Sequence, residues 1–395
     1  MPLDRTIPVG VLGAGAMGSG IARVAAAYGH PVVVLDANAD QMDRARADME
    51  RALSRDVERG KIGAAAAGAL LDRVGYAGES GASGMEAFRD CGLVVEAIVE
   101  RLDAKRDAFT RLERSVPPDC VLATNTSSLS VSSIASACKR PERVLGVHFF
   151  NPAPVMPLVE IIPGVTTAPA TLASVRALVD AWGKTTVVAA DTPGFIVNRI
   201  ARPFYGESIR MLEEGVADAA TMDWAMREIG GFRMGPFELM DFIGHDVNFS
   251  VTRSVFEAFF YDPRYKPSFT QQRLVEAGFL GKKSGRGFYD YRDGATKPAP
   301  DTDRARGATI VERIVCMLIN EAADAVFLRV ATPADIDLAM TKGVNYPKGL
   351  LAWSDEMGAA RVVDLLGALQ AEYGEDRYRA SPLLKRMARE GRRFF

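Results

Sequence analysis

The first forty residues constrain this chain more than any other stretch of it. An apolar run, Val9-Gly10-Val11-Leu12, leads into Gly13-Ala14-Gly15-Ala16-Met17-Gly18; the small apolar stretch from Ile21 to Ala27 follows, and a second apolar run, from Val32 to Leu35, ends at Asp36. The order is strand, glycine turn, helix, strand. In such a unit Gly13 permits the tight turn and Gly15 lets the main chain approach a pyrophosphate. Gly18 lets helix and strand pack closely, while the helix N-terminal amides at Ala16 and Met17 face the anion. Asp36 stands where a carboxylate accepts both ribose hydroxyls. No Arg or Lys follows it in Ala37-Asn38-Ala39 to neutralise a 2′-phosphate, so NAD is expected rather than NADP. A glycine triplet is weak evidence in a chain with 36 glycines; its place between strand and helix, with the acid in position, makes it a dinucleotide site.

At 395 residues the chain is long enough for two or three domains. Apolar runs at Leu93 to Ala97, Val121 to Ala123 and Val144 to Phe149 continue the α/β alternation. The expected fold is a Rossmann-type doubly wound sheet over residues 1–190. Lys and Arg number 48 against 50 Asp and Glu, which leaves no global basic field for nucleic acid or an anionic membrane. No apolar stretch approaches the length of a spanning helix, and the N-terminus has no apolar run behind a basic start, so a cytoplasmic protein is expected. Cys91, Cys120, Cys138 and Cys316 are widely spaced, as reduced thiols are, and no metal-ligand spacing is present. The stretch from Asn38 to Gly75 has helical periodicity and carries Arg44, Arg51, Arg55, Arg59 and Lys61. It reads either as a solvated face or as a local patch for a phosphorylated ligand.

Asn125-Thr126-Ser127-Ser128 and His148-Phe149-Phe150-Asn151-Pro152 each stand at a strand end. The proline-broken turn Ala153-Pro154-Val155-Met156-Pro157 folds the chain back into Leu158-Val159-Glu160, which can bring His148 and Glu160 side by side. Oxidation of an alcohol needs such a pair. Hydride leaves carbon only as the hydroxyl proton is removed; imidazole titrates in the useful range, and a carboxylate on its other nitrogen fixes the tautomer. Of the other two histidines, His30 reads as a surface turn residue and His245 as a helix-cap or packing residue.

These segments, with Val95-Glu96-Ala97-Ile98-Val99-Glu100 and Lys105, Thr192-Pro193-Gly194-Phe195-Ile196-Val197-Asn198-Arg199 and Gly281-Lys282-Lys283-Ser284-Gly285, resemble the 3-hydroxyacyl-CoA dehydrogenase family from residue 8 to about 291. The resemblance implies that His148 is the base and Glu160 its partner, and that Ser127 and Asn198 hydrogen-bond the reacting oxygens of substrate. It implies that Glu100, Lys105, Asn125, Asn151 and Lys283 reach the cofactor. Arg55 and Arg59 are the basic candidates for CoA.

Beyond Asp191 the pattern turns helical and repeats. Sliding the chain by 114 residues superposes Arg199 on Arg313, Glu207 on Glu321, Asp223 on Asp337, Gly235 on Gly349 and Gly244 on Gly358 without a gap. Two tandem all-α domains are expected, at 191–295 and 307–395, joined by a linker at 296–306. Glu312 replaces Asn198 in the second copy, and the equivalent of Gly281 is the last residue, Phe395, so that copy lacks both functional elements. It is expected to pack on the first, with homodimerisation left to other surfaces.

The segments Ala201-Arg202-Pro203-Phe204-Tyr205 and Gly343-Val344-Asn345-Tyr346-Pro347 resemble the phenylacetate-catabolic branch of the family, which oxidises 3-hydroxyadipyl-CoA. Arg202, four residues after Asn198, then becomes a candidate for the substrate's terminal carboxylate, against a plain salt-bridge role. A short-chain 3-hydroxybutyryl-CoA dehydrogenase would share every catalytic residue. A crystallin-like, non-catalytic NAD-binding protein would have no use for the His–Glu pair. A dehydrogenase with a lysine base would leave His148, Glu160 and Asn198 unexplained together.

Overall fold

Short runs of β-branched residues organise the first half of the chain. In the computed structural model, which describes residues 3–77 and 84–395, eight strands form one sheet: β1 (Val9–Leu12), β2 (Val32–Leu35), β3 (Val74–Ala77), β4 (Leu93–Glu96), β5 (Val121–Thr124), β6 (Val144–Phe149), β7 (Leu158–Pro163) and β8 (Thr185–Val188). Their order is β3-β2-β1-β4-β5-β6-β7-β8. The first six are parallel throughout, as a doubly wound sheet requires, and the order reverses between β1 and β4, the switch point where such sheets bind ligands. β7 runs antiparallel to β6 and parallel to β8.

Helices α1 (Ala16–Ala27), α2 (Ala39–Glu58), α3 (Ala64–Leu71), α4 (Leu102–Ser115), α5 (Val131–Ala135) and α6 (Pro169–Ala181) cover the sheet. Val9, Val11, Leu93 and Val95 pack with Ile21, Ala22 and Ala25 of α1 on one face, while Leu12, Val94 and Leu122 pack with Phe109 and Leu112 of α4 on the other. Burial on both faces is why these strands read as continuous apolar runs. The basic stretch after Asn38 is α2, which buries only Met42, Ala45, Met49 and Leu53, a stripe at helical spacing.

His30 corrects an expectation. It is 1% exposed, with Nδ1 on the Ile7 carbonyl and Nε2 accepting from the Trp182 indole, both at 3.0 Å. Strands β3 and β8, four residues each, add to those expected from the sequence; their Gly and Thr dilute the apolar signal.

A second compact unit runs from Pro193 to Phe395, the first ending at Thr192. Its first half holds α7 (Val197–Ile200), α8 (Arg202–Glu213), α9 (Ala219–Glu228), α10 (Pro236–Ile243), α11 (His245–Ala258) and α12 (Phe269–Glu276). The second half holds α13 (Arg304–Phe327), α14 (Pro333–Gly343), α15 (Leu350–Met357), α16 (Ala359–Tyr373) and α17 (Pro382–Glu390). The repeat is visible in the bonding: Asp223 accepts from the Phe237 and Glu238 amides, and Asp337 from those of Leu351 and Ala352. Where the second copy has one helix, α13, the first has α7 and α8, divided next to Pro203, which lacks the amide a continuous helix needs. Residues 304–306, expected in the linker, form the first turn of α13, capped by the Asp303 carboxylate.

The halves exchange equivalent bonds. Arg199 Nε and Tyr265 Oη donate to Glu321 Oε1, each at 2.5 Å, and Arg313 Nε and Tyr378 Oη donate to Glu207 Oε1 at 2.7 and 2.6 Å. Residue i of one half meets j of the other and j meets i, as at a twofold interface.

Candidate active site

The turn after β1 has the geometry of an anion cradle. Gly13 sits at φ +108°, and a Cβ on Gly18 would lie 1.9 Å from the Gly13 carbonyl oxygen, so packing dictates both glycines. Gly15 differs: its φ is an ordinary −67°, and a Cβ there would meet no protein atom within 4 Å. Neither packing nor backbone explains that glycine; a ligand lying against the main chain does, and the residues present fit NAD. Asp36 Oδ2 accepts the Ala14 amide at 2.7 Å and Oδ1 the Asn38 amide at 2.9 Å, which ties the loop to the end of β2. Each oxygen keeps a second lone pair for a ribose hydroxyl. Beside Gly15, a cavity of about 500 Å³ opens between α1 and α2, lined by Arg23, Gln41 and Arg55. Arg59 is the exposed C-cap of α2 and does not line it. Another cavity, about 410 Å³, lies at the opposite strand ends under Pro8, Cys91 and Cys120, and none of the candidate catalytic or cofactor-binding residues lines it.

Glu100 builds the loop after β5. Its Oε1 accepts from Thr126 Oγ1 at 2.7 Å, from the Ser127 and Ser128 amides at 2.9 and 3.0 Å, and from Ser128 Oγ at 3.0 Å; Ser127 Oγ stands farther off, at 3.3 Å. Behind it Lys105 is 1% exposed, its ammonium 2.6 Å from Glu96 and 3.3 Å from Glu100. In this structure, then, Lys105 positions the loop through Glu100, and its burial leaves no surface for a ligand. Glu96, which also accepts from Thr124 Oγ1 at 2.7 Å, was missed as a functional residue. Its signal was a lone charge ending the buried run Leu93-Val94-Val95.

Burial pushes the Glu100 carboxyl up, but Lys105 and the loop's hydroxyl and amide donors outweigh it and hold the group below its ordinary 4.5. The stability this gives the loop is complete above that value and is lost as pH falls through the lower, folded one. Glu100→Gln should therefore lower the amide-exchange protection factors of Ser127 and Ser128 about tenfold at neutral pH, and acid, once the intrinsic rate at each pH is divided out, should lower those of the native protein in the same way. Unchanged exchange would show that the loop stands without the carboxylate.

His148 and Glu160 face each other across the antiparallel pair of β6 and β7. Directly opposed residues share one face of a sheet, and Nδ1 lies 2.7 Å from Glu160 Oε2. Their side chains are 7% and 0% exposed, and the Phe150 ring stands 4.6 Å from the imidazole. Asn125 Oδ1 accepts the Phe149 amide at 2.8 Å, locking the end of β6 to the Glu100 loop. Lys184 holds the proline turn through the Ala153 and Met156 carbonyls, at 2.6 and 2.8 Å. Asn151 precedes Pro152 through a cis peptide at the head of that turn.

In the helical unit Asn198 lies in α7, and its side-chain amide has no hydrogen-bond partner among the described residues. Lys283 is half-exposed and paired with Asp246 at 2.6 Å. His245, the first residue of α11, is buried with Nε2 2.7 Å from Asp241, in keeping with a packing role.

A dinucleotide cradle and a buried imidazole–carboxylate pair in one α/β unit define a nicotinamide-dependent dehydrogenase that oxidises a hydroxyl. The NAD-binding domain family of 3-hydroxyacyl-CoA dehydrogenase matches residues 8–192, and the family of its C-terminal domain matches twice, at 194–291 and 310–393. A 3-hydroxyadipyl-CoA dehydrogenase of Escherichia coli K12 is 39% identical, over 96% of this chain and 97% of that protein. The human mitochondrial hydroxyacyl-coenzyme A dehydrogenase is 40% identical over 72% of this chain and 91% of its own. A crystal structure described as 3-hydroxybutyryl-CoA dehydrogenase from Escherichia coli K12 aligns with a TM-score of 0.91 at 38% identity, over 98% of this chain and 99% of that one. The chain belongs to the 3-hydroxyacyl-CoA dehydrogenase family and is an NAD-dependent oxidoreductase of 3-hydroxyacyl-CoA thioesters.

Proposed function

We propose that the substrate is 3-hydroxyadipyl-CoA, oxidised at C3 with His148 as general base and Glu160 as its orienting partner. The observation that carries the mechanism is the 2.7 Å contact between His148 Nδ1 and Glu160 inside the sheet. With Nδ1 held by the carboxylate, Nε2 takes the hydroxyl proton, and Glu160 stabilises the imidazolium that forms. NAD, when bound, accepts the hydride. Ser127 and Asn198 hydrogen-bond the reacting oxygens; the weak Ser127 Oγ contact to Glu100 and the unengaged Asn198 amide support those roles. Gly13, Gly15, Ala16, Met17, Gly18 and Asp36 hold the dinucleotide. Asn125 and Asn151 border it, and Lys283 reaches it on leaving Asp246. Arg55, on the wall of the cavity between α1 and α2, meets a CoA phosphate, with Arg59 farther along α2.

The relative named for 3-hydroxyadipyl-CoA aligns over nearly all of both chains and supports the dicarboxylic substrate. The reciprocal bonds between helical copies support a second one: α13 to α17 stand where a partner subunit would, and homodimerisation, if present, uses other surfaces. Four free, buried cysteines, their thiols pushed up to about 12 by burial, fit a cytoplasmic protein. The test of substrate is a panel of 3-hydroxyacyl-CoA thioesters assayed with NAD. We expect kcat/KM for 3-hydroxyadipyl-CoA to exceed that for 3-hydroxybutyryl-CoA by at least about tenfold. A preference for the C4 thioester would return the enzyme to the short-chain reading.

A further inference from the structure

Four arginines of the helical unit are buried. Arg199, Arg264 and Arg377 each pair with carboxylates. Arg202 is 7% exposed and has no carboxylate within 4.0 Å among the described residues. Its Nε donates to the Asn198 carbonyl at 2.8 Å and its Nη1 to Thr252 Oγ1 at 3.0 Å; Nη2 has no hydrogen-bond partner among the described residues. The guanidinium carbon lies 5.0 Å from the centre of the Tyr205 ring. Burial is the main force on this group and holds it below its ordinary value, with the phenols of Tyr205 and Tyr346 acting in the opposite sense. Tyr346, from the second copy, is 6% exposed, and its hydroxyl is buried without a partner. An unpaired cation and an unsatisfied phenol in the same interior are costly, and folding alone has no use for them.

The repeat supplies an internal control. Shifted by 114 residues, Arg202, Tyr205 and Thr252 become Cys316, Ile319 and Leu366, and Tyr346 becomes Phe232. All four counterparts are buried and apolar. At these places the architecture asks only for apolar packing, so the polar set on one side answers some other demand. Its position matches the reading above: Arg202, the first residue of α8, donates to the carbonyl of Asn198 in α7, and the carboxylate oxygens of an extended adipyl chain, four bonds from C3, stand about 5 Å from that carbon. A butyryl chain ends short of that reach.

We propose, resting on the dicarboxylic substrate reading, that Arg202, Tyr205 and Tyr346 form the receptor for the acyl chain's terminal carboxylate, so that the catalytically silent copy contributes to specificity. A guanidinium fork with an adjacent phenol donor matches a carboxylate's lone pairs. The readout is the ratio of kcat/KM for 3-hydroxyadipyl-CoA to that for 3-hydroxyhexanoyl-CoA, equal in length and lacking the charge, together with the ratio of Kd for adipyl-CoA and hexanoyl-CoA by calorimetry. Both are ratios within one preparation, so partial unfolding cancels. Arg202→Met is expected to lower the preference for the dicarboxylic ligand about a hundredfold, and Tyr346→Phe, the residue the first copy holds at that place, about fivefold. Should Arg202→Met fail to fold, Tyr346→Phe decides alone. Ratios within a factor of two of wild type in the folded variants overturn the receptor and leave the substrate reading standing. A wild type that favours the hexanoyl thioester overturns both.

Discussion

His148→Ala is expected to lower kcat by about 10²–10⁴-fold, the usual cost of a lost general base, with NAD affinity held within about twofold. The two readouts separate because the imidazole stands on β6, whereas Gly13, Gly15 and Asp36 stand on the far side of the switch point, at the ends of β1 and β2. Glu160→Gln should fall in the same direction by a smaller factor. It retains a hydrogen-bonding oxygen for Nδ1 and removes the charge that stabilises the imidazolium. Stopped-flow measurement of NADH formation, with NAD titrated by calorimetry, checks both. A His148→Ala enzyme with near-native turnover would end the mechanism, and a parallel loss of NAD binding would recast His148 as structural.

Glu321→Ala should destabilise the helical unit by about 3–5 kcal/mol, because it strands Arg199 in the interior without its carboxylate and leaves Arg264 with Asp324 alone. In a unit of this size that corresponds to a Tm lower by roughly 10 °C. Burial pushes the Glu321 carboxyl up, yet Arg199 and Arg264 overcome it and hold the group below 4.5. Its contribution is therefore complete above that value and is lost as acid protonates it in the fold. The variant's deficit should shrink correspondingly at low pH. Thermal unfolding of variant and wild type across pH tests this, and a deficit below about 1 kcal/mol at neutral pH would show the pair to be dispensable.

What was legible in the sequence was local or periodic. The glycine turn with Asp36, the strand ends bearing Ser127 and His148, and the 114-residue repeat each lie in short or regularly spaced patterns. The His148–Glu160 contact was readable because one proline-rich turn separates two runs of strand character, which fixes the register. What escaped depends on partners distant in the chain. Burial of His30 needs Trp182, 152 residues later. Lys105 is assigned to the cofactor by the family resemblance alone, and nothing in its own stretch of sequence announces the two carboxylates, Glu96 and Glu100, that take it in the fold. The surroundings of Arg202 were invisible for the same reason: Thr252 and Tyr346 enter from α11 and from the loop after α14.

Joining the two helical copies in one polypeptide also removes an evolutionary constraint. In a homodimer every substitution at a twofold interface occurs twice, once on each side, so improvement for one purpose is tied to its mirror image. Here positions 232 and 346 are separate codons and hold Phe and Tyr; 202 and 316 hold Arg and Cys. Each side of the interface can be selected for its own task, one for recognition and the other for cohesion.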